Sequence, residues 1–187
     1  METRYFSLSE ILEMIDEPNR SCCKRLLNDN KELFNKAKGS KSKHQAWVGG
    51  YLDHVTEVCN IGIVIYNNLI KLRHLDFSIK DFLLVAFLHD LEKPWKGIVN
   101  LEDSSGIKNN LAIKDFVKSK IIEYGFNLND THINALKYAE GEGNDYDTFE
   151  RVQLPLAAFL HICDVFSARI WYEFPNNEDS WYKNKKT

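Results

Sequence analysis

The sequence has no surplus of basic residues: 24 lysines and arginines stand against 27 aspartates and glutamates, a formal charge of -3. It therefore offers no broad basic face of the kind that duplex nucleic acid selects through its phosphates. A small anionic substrate stays allowed, because a metal ion and a few local lysines can hold phosphate within a mildly acidic protein. The four cysteines, Cys22, Cys23, Cys59 and Cys163, form neither a CxxC pair nor a zinc ribbon and are expected to be reduced and partly buried. Long apolar runs are missing as well. No segment is long and apolar enough to span a bilayer, and Met1 to Asp16 carries Glu2, Glu10 and Glu13 in place of a signal peptide's apolar stretch. The expectation is a cytoplasmic protein with no membrane role. Internal repeats and low-complexity segments are absent too, and 187 residues at 44% hydrophobic content suffice for one well-filled core.

What is present is helical periodicity. Leu8, Ile11, Leu12 and Ile15 recur at helical spacing behind a capping box of Ser7 and Glu10. Asn19 to Ala37 reads as a second, surface helix, and Lys38 to Lys43 as a loop. From Gly50 to Leu72, Val55, Val58, Ile61, Ile65 and Leu69 keep to one broad face without the alternation of a strand, which predicts a long helix with His54 on its inward side. Ser78 and Asp81 cap a central buried helix running through Phe82 to Leu88 and ending at His89 and Asp90. Lys93 to Asn110 is a polar connection long enough to be functional. Leu111 to Tyr124 is again helical and stops at Gly125. Asp130 to Ala139 forms a short helix, followed by a flexible Gly141 to Asn144 stretch. Pro155 opens a last long helix from Leu156 to Tyr172 that carries His161 and Asp164. The fold class is all-α, a single bundle of six or seven helices: one domain over 1-187, its core at about 44-172, N-terminal helices in 1-43 and a mobile polar tail at 175-187.

The chemistry gathers at a few polar positions inside this apolar frame. His89 and Asp90 are adjacent metal-ligand types at the end of an apolar helix, where a charged pair needs a partner. His54 sits inside the preceding amphipathic helix, and Asp164 interrupts the apolar face of the last one between Phe159, Leu160, Ile162, Val165 and Phe166. Singly, each has an ordinary explanation as a hydrogen-bonded core residue or an ion-pair partner. Together, three helices each aiming a ligand at one centre are most economically explained by a metal ion.

The order His54, His89-Asp90, Asp164 resembles the H...HD...D arrangement of the HD phosphohydrolase superfamily. Local contexts carry the resemblance further. Gln45 to His54 looks like the family's opening segment, with its Gly49-Gly50 turn before the first ligand. Phe87 to Lys93 looks like the HDxGK segment, with Glu92 where glycine is usual. Cys163 to Arg169 looks like the closing aspartate motif. The resemblance implies the HD bundle, built on the metal ligands His54, His89, Asp90 and Asp164. Some branches add histidines before the last aspartate and hold two metals; here Asn134 to Glu142 has none and His132 lies one turn early, expected at the surface or against substrate. One divalent ion is therefore expected, with manganese, iron, cobalt, nickel, magnesium and zinc all tolerated by the mixed ligand set. The absent GYP motif argues against the cyclic-di-GMP branch, and the missing Glu-Asp pair against alarmone hydrolases.

The resemblance implies a metal-dependent phosphohydrolase acting on a nucleotide, as a nucleoside monophosphatase or a dNTP triphosphohydrolase. Asp90 is assigned a double role, ligand and orienter or proton acceptor for water, and Lys93 is the catalytic cation that balances phosphate charge. Lys43, His44 and Lys96 are second-rank phosphate contacts, and Arg169 is expected to form an ion pair that fixes the last helix. Trp47, Trp95 and Tyr138 are candidates for a nucleobase wall, although core packing is the commoner role in a chain that is 12% aromatic. Glu140 and Glu142 are candidates for ribose contact or a second metal, against a solvated acidic turn. Two alternatives stay open: a phosphodiesterase or 3'-5' exonuclease acting on a cyclic nucleotide or short oligonucleotide, and a catalytically silent regulatory or protein-binding module. The partner expected is a small phosphorylated molecule. A homodimer is allowed, since related bundles often dimerise.

Overall fold

The computed structural model describes residues 4-96, 110-176 and 178-181. Among them the secondary structure is helical, without a sheet, in eight α-helices: α1 Leu8–Glu13, α2 Asn19–Asp29, α3 Lys31–Lys36, α4 Gly50–Leu69, α5 Ile79–Leu88, α6 Asn110–Tyr124, α7 Asp130–Lys137 and α8 Pro155–Val165. Most of the expected Lys93 to Asn110 connection lies outside the described residues; its first part is a short 3-10 turn over Lys93–Trp95. No described helix is long and apolar enough to cross a membrane, and all four cysteines are buried free thiols.

Local chemistry sets the helix starts. Ser7 with Glu10 and Ser78 with Asp81 form full capping boxes, each satisfying donors that the first turn leaves open. Asn129 and His132 form a third box at α7, with His132 Nδ1 accepting the Asn129 backbone N–H. His132 Nε2 meets Asp81 Oδ1 at 2.9 Å. His132 is therefore buried and tied to two helix N-termini, contrary to the surface or substrate role expected for it.

The helix expected over Asn19 to Ala37 is two helices, which brings the total to eight. Asn30 leaves the helical region at φ -116°, ψ 22°, and its amide donates to Leu26 O and to the Tyr124 hydroxyl. That cross-link to α6 outweighs helical continuity. The last helix also differs from expectation. After Val165 the chain widens into a π-helical turn over Phe166–Ile170, a distortion that recurs at functional sites because it re-aims side chains.

The core is centred on α5, whose Phe82 to Leu88 are all buried and packed between α4, α7 and α8. Gly62 on α4 permits that packing. A Cβ there would lie 2.0 Å from the Phe82 ring, and Phe82 is fully enclosed. Gly62→Ala is therefore expected to destabilise the protein by about 3 kcal/mol, the upper end of the overpacking range, read as a lower urea midpoint at unchanged slope. Of the tail expected to be mobile, Trp181 packs its indole on Tyr5 and Trp171 at 5.3 Å in each case, and 177 and 182-187 lie outside the described residues.

Candidate metal centre

Three helices deliver the four expected ligands to one point. His54 projects from the second turn of α4, His89 caps the C-terminus of α5 with Asp90 following it, and Asp164 comes from the last turn of α8. One ligand atom from each lies within 4.8 Å of all the others. His54 Nε2 is 3.1 Å from Asp164 Oδ1 and 3.4 Å from Asp90 Oδ2; His89 Nε2 is 3.3 Å from Asp90 Oδ2 and 3.6 Å from Asp164 Oδ1.

The outer nitrogens decide what the inner ones can do. His89 Nδ1 lies 2.7 Å from Ala86 O; a carbonyl only accepts, so Nδ1 carries the proton and Nε2 keeps a lone pair in the neutral ring. His54 Nδ1 lies 3.0 Å from Ser167 Oγ, and that hydroxyl donates to Glu57 Oε2 at 2.6 Å. With its proton committed to Glu57, Ser167 accepts from His54, and His54 Nε2 is again the lone-pair nitrogen. Both Nε2 atoms are buried without a hydrogen-bond partner. Buried polar atoms are rarely left so, and the set of two nitrogens and two carboxylates is one that could hold a metal ion.

Electrostatics agree with the geometry. Burial alone would raise the Asp90 carboxyl, but the charges of His89 and Lys93 hold it well below the usual carboxylate range. Asp164 is likewise opposed by burial and held low by His54 and His89, whose Nε2 atoms face it. Burial works against protonated His89, yet Asp90 and Asp164 together raise it to about 10. Lys93 Nζ forms an ion pair with Asp90 Oδ2 and is largely enclosed, so it is not a solvated loop lysine.

Three residues that carry this arrangement were not legible as site residues: Gln45, Glu57 and Ser167. Gln45 Nε2 donates to Glu57 Oε2 at 3.0 Å and to Ser167 Oγ at 3.1 Å. Its Oε1 accepts from His44 Nδ1 at 2.8 Å, and the His44 ring lies 4.9 Å from that of His54. Burial and then Lys93 keep the His44 pKa below its ordinary value. Burial pushes the Glu57 carboxyl up to about 7. Gln45 itself is held at φ +37°, and the Gly-Gly turn explains how. Gly49 takes φ +82°, and a Cβ on Gly50 would stand 1.9 Å from Gln45 O, so only glycine lets the two segments meet. Ser167→Ala is expected to free the His54 ring and weaken metal binding by about 10–100-fold, measured by competition with a chelating dye, while far-UV dichroism is retained.

The other expected contacts are dispersed. Lys43 is exposed beyond the Ser40 turn. Lys96 reaches back to Glu92 Oε1 at 2.8 Å. Glu140 is exposed, and Glu142 accepts the Gln153 backbone N–H. Trp95 is buried against Phe34 and Phe116, and Tyr138 is buried with its hydroxyl on Asp145; both are packing residues. Trp47 donates to Asp53 Oδ2 and packs edge-on against Phe174, lining a cavity that none of the four ligands lines. Arg169 is exposed and forms no ion pair among the described residues, unlike the expectation. Comparison with family models, with curated proteins and with solved structures found no match to this chain.

Proposed function

We propose that the protein is a metal-dependent phosphohydrolase of the HD-domain type, acting on a nucleotide phosphate ester as a nucleoside monophosphatase or a dNTP triphosphohydrolase. The observation that carries this reading is the pair of imidazoles fixed through Nδ1, each turning a buried, unbonded Nε2 toward the Asp90 and Asp164 carboxylates. Manganese, iron, cobalt, nickel, magnesium and zinc all suit such a donor set. When bound, a divalent ion supplies an acidified water and positive charge for a phosphate oxygen.

The remaining work falls to side chains. Asp90 would hold the ion through a carboxylate oxygen, and to it we assign the proton of the attacking water. Lys93, paired to that carboxylate, balances charge gathering on the phosphate oxygens. His44 donates its Nδ1 proton to Gln45, which leaves Nε2 as its accepting nitrogen beside His54.

The test is a released-phosphate screen of the purified protein, stripped of metal and refilled with each divalent ion, against nucleoside monophosphates, dNTPs, cyclic nucleotides and short oligonucleotides. The expected result is metal-dependent release of phosphate from a monophosphate or triphosphate from a dNTP. Cleavage confined to cyclic nucleotides or oligonucleotides would replace this reading with a phosphodiesterase. Silence across the panel with metal bound would replace it with a regulatory or protein-binding module.

A further inference from the structure

Gln45 is buried, and its backbone is clamped in both directions. Its N–H donates to Tyr172 O at 3.1 Å, and its carbonyl accepts from the Gly39 N–H at 3.0 Å. The nitrogen of its side-chain amide faces Glu57 Oε2 at 3.0 Å, Ser167 Oγ at 3.1 Å, Trp171 O at 3.4 Å and Ser167 O at 3.5 Å. Two of those oxygens are backbone carbonyls, which only accept. The amide therefore keeps its N–H groups on this side whether Glu57 is charged or neutral, and its oxygen is turned the other way.

That oxygen meets His44 Nδ1 at 2.8 Å. An amide oxygen only accepts, so Nδ1 carries the proton and Nε2 of the neutral ring keeps a lone pair. The His44 backbone is held as well, its N–H donating to Ser40 Oγ at 2.8 Å and its carbonyl accepting from the Ser40 hydroxyl at 2.9 Å. The ring lies 4.9 Å from that of His54, yet His44 is not one of the four residues whose ligand atoms cluster. What results is a fixed hydrogen-bond acceptor next to the metal centre. It is badly matched to the phosphate contact expected of His44, because phosphate oxygens also present lone pairs. It is well matched to an O–H group.

We propose that His44 is a catalytic residue whose Nε2 accepts a hydrogen bond from the attacking water, and that Gln45 is the positioning residue that keeps this nitrogen free of a proton. The proposal rests on the phosphohydrolase reading. Water has two protons. One is assigned to Asp90, and His44 engages the other, which leaves the oxygen lone pairs to face the phosphorus. No proton moves to His44 in this role.

The first arm of the test reads the tautomer without turnover. A long-range proton–nitrogen correlation spectrum is recorded on the isotope-labelled full chain, loaded with diamagnetic zinc, in mildly alkaline buffer. The chain has six histidines, and His44 is assigned by its loss in His44→Phe. Its proton is expected on Nδ1 in the wild type and on Nε2 in Gln45→Met. The second arm is steady-state kinetics at saturating metal, on whichever substrate the released-phosphate screen finds. His44→Phe and Gln45→Met are each expected to lower kcat by about 100-fold, the cost of a misplaced reacting group, with KM and bound metal unchanged. A Gln45 that merely braced the fold would lower metal affinity or melting temperature and leave kcat at saturating metal intact. Should Gln45→Met fold poorly, the wild-type spectrum and His44→Phe still decide. A His44 proton on Nε2 in the wild type would overturn the proposal even where phosphate is released. So would unchanged kinetics in His44→Phe, or a raised KM at unchanged kcat, which would make His44 a substrate contact. Silence of the screen would remove the phosphohydrolase reading and the role at water with it, while the tautomer would still be read from the spectrum.

Discussion

Asp90→Ala is expected to empty the metal centre and end metal-dependent phosphate release. The reason is that Asp90 Oδ2 is the atom shared by most of the cluster: it lies 3.4 Å from His54 Nε2, 3.3 Å from His89 Nε2, and in an ion pair with Lys93. Its removal deletes a ligand and strands a largely enclosed ammonium that would then repel a divalent ion. Losing a group that merely supports a ligand costs about 10–100-fold in metal affinity; losing the ligand and its charge together should exceed that. Asp90→Asn separates the two effects, since it retains the shape and one oxygen but not the charge. Metal content by elemental analysis and phosphate release are measured on the same preparations. Lys96→Ala, which removes the partner of the largely buried Glu92 but touches none of the four cluster residues, is expected to behave like the wild type in metal content. Normal metal content in Asp90→Ala would refute the ligand assignment; normal metal content without turnover would restrict Asp90 to the reaction itself.

The four residues of the cluster were legible because each is a polar residue set into or at the end of an apolar helix, a conflict that a sequence rarely carries without a reason. The same one-sided pattern located α4 and α5, and the capping boxes at Ser7 and Ser78 set the starts of α1 and α5. Gln45, Glu57 and Ser167 gave no comparable signal. Each is an ordinary polar residue in its own segment, and their relation exists only after α4 and the end of α8 come together. Glu57 does lie three residues after His54, on the same side of a helix, which is the one trace in the sequence that could have nominated it. Ser167 reaches His54 from the π-helical turn, a register that periodicity at 3.6 residues does not anticipate. Asn30 and His132 misled for a related reason: their side chains serve contacts to α6 and α5 that are invisible along the chain. The contacts of Trp181 with Tyr5 and Trp171 were equally invisible in a polar tail.

Stabilisation by metal is expected to strengthen as pH rises through the neutral and mildly alkaline range, with release of about one proton per ion bound. Asp90 and Asp164 favour the protonated His89 ring against its burial, raising its pKa to about 10 against about 6.5 for a histidine in the unfolded chain. A raised histidine contributes stability fully below the unfolded value and loses it as pH climbs through the folded one. Between about pH 6.5 and 10, the metal-free protein therefore forfeits up to a few kcal/mol from this residue. Asp90 and Asp164, both held low, act on the other side: their contribution is present above the ordinary carboxylate range and disappears only in acid. A metal ion must take the place of the His89 proton, so apparent affinity should rise about tenfold per pH unit while that proton is the one displaced. Buried thiols such as Cys59 and Cys163, whose pKa values are also raised, lower alkaline stability in both forms and cancel in the difference. The measurement is the melting temperature with and without a fixed excess of metal across this range, joined to calorimetry in buffers of unlike ionisation enthalpy to count protons. A metal-induced shift that is flat with pH, with no proton released, would mean that the ion does not compete with the imidazolium and that His89 is not a ligand.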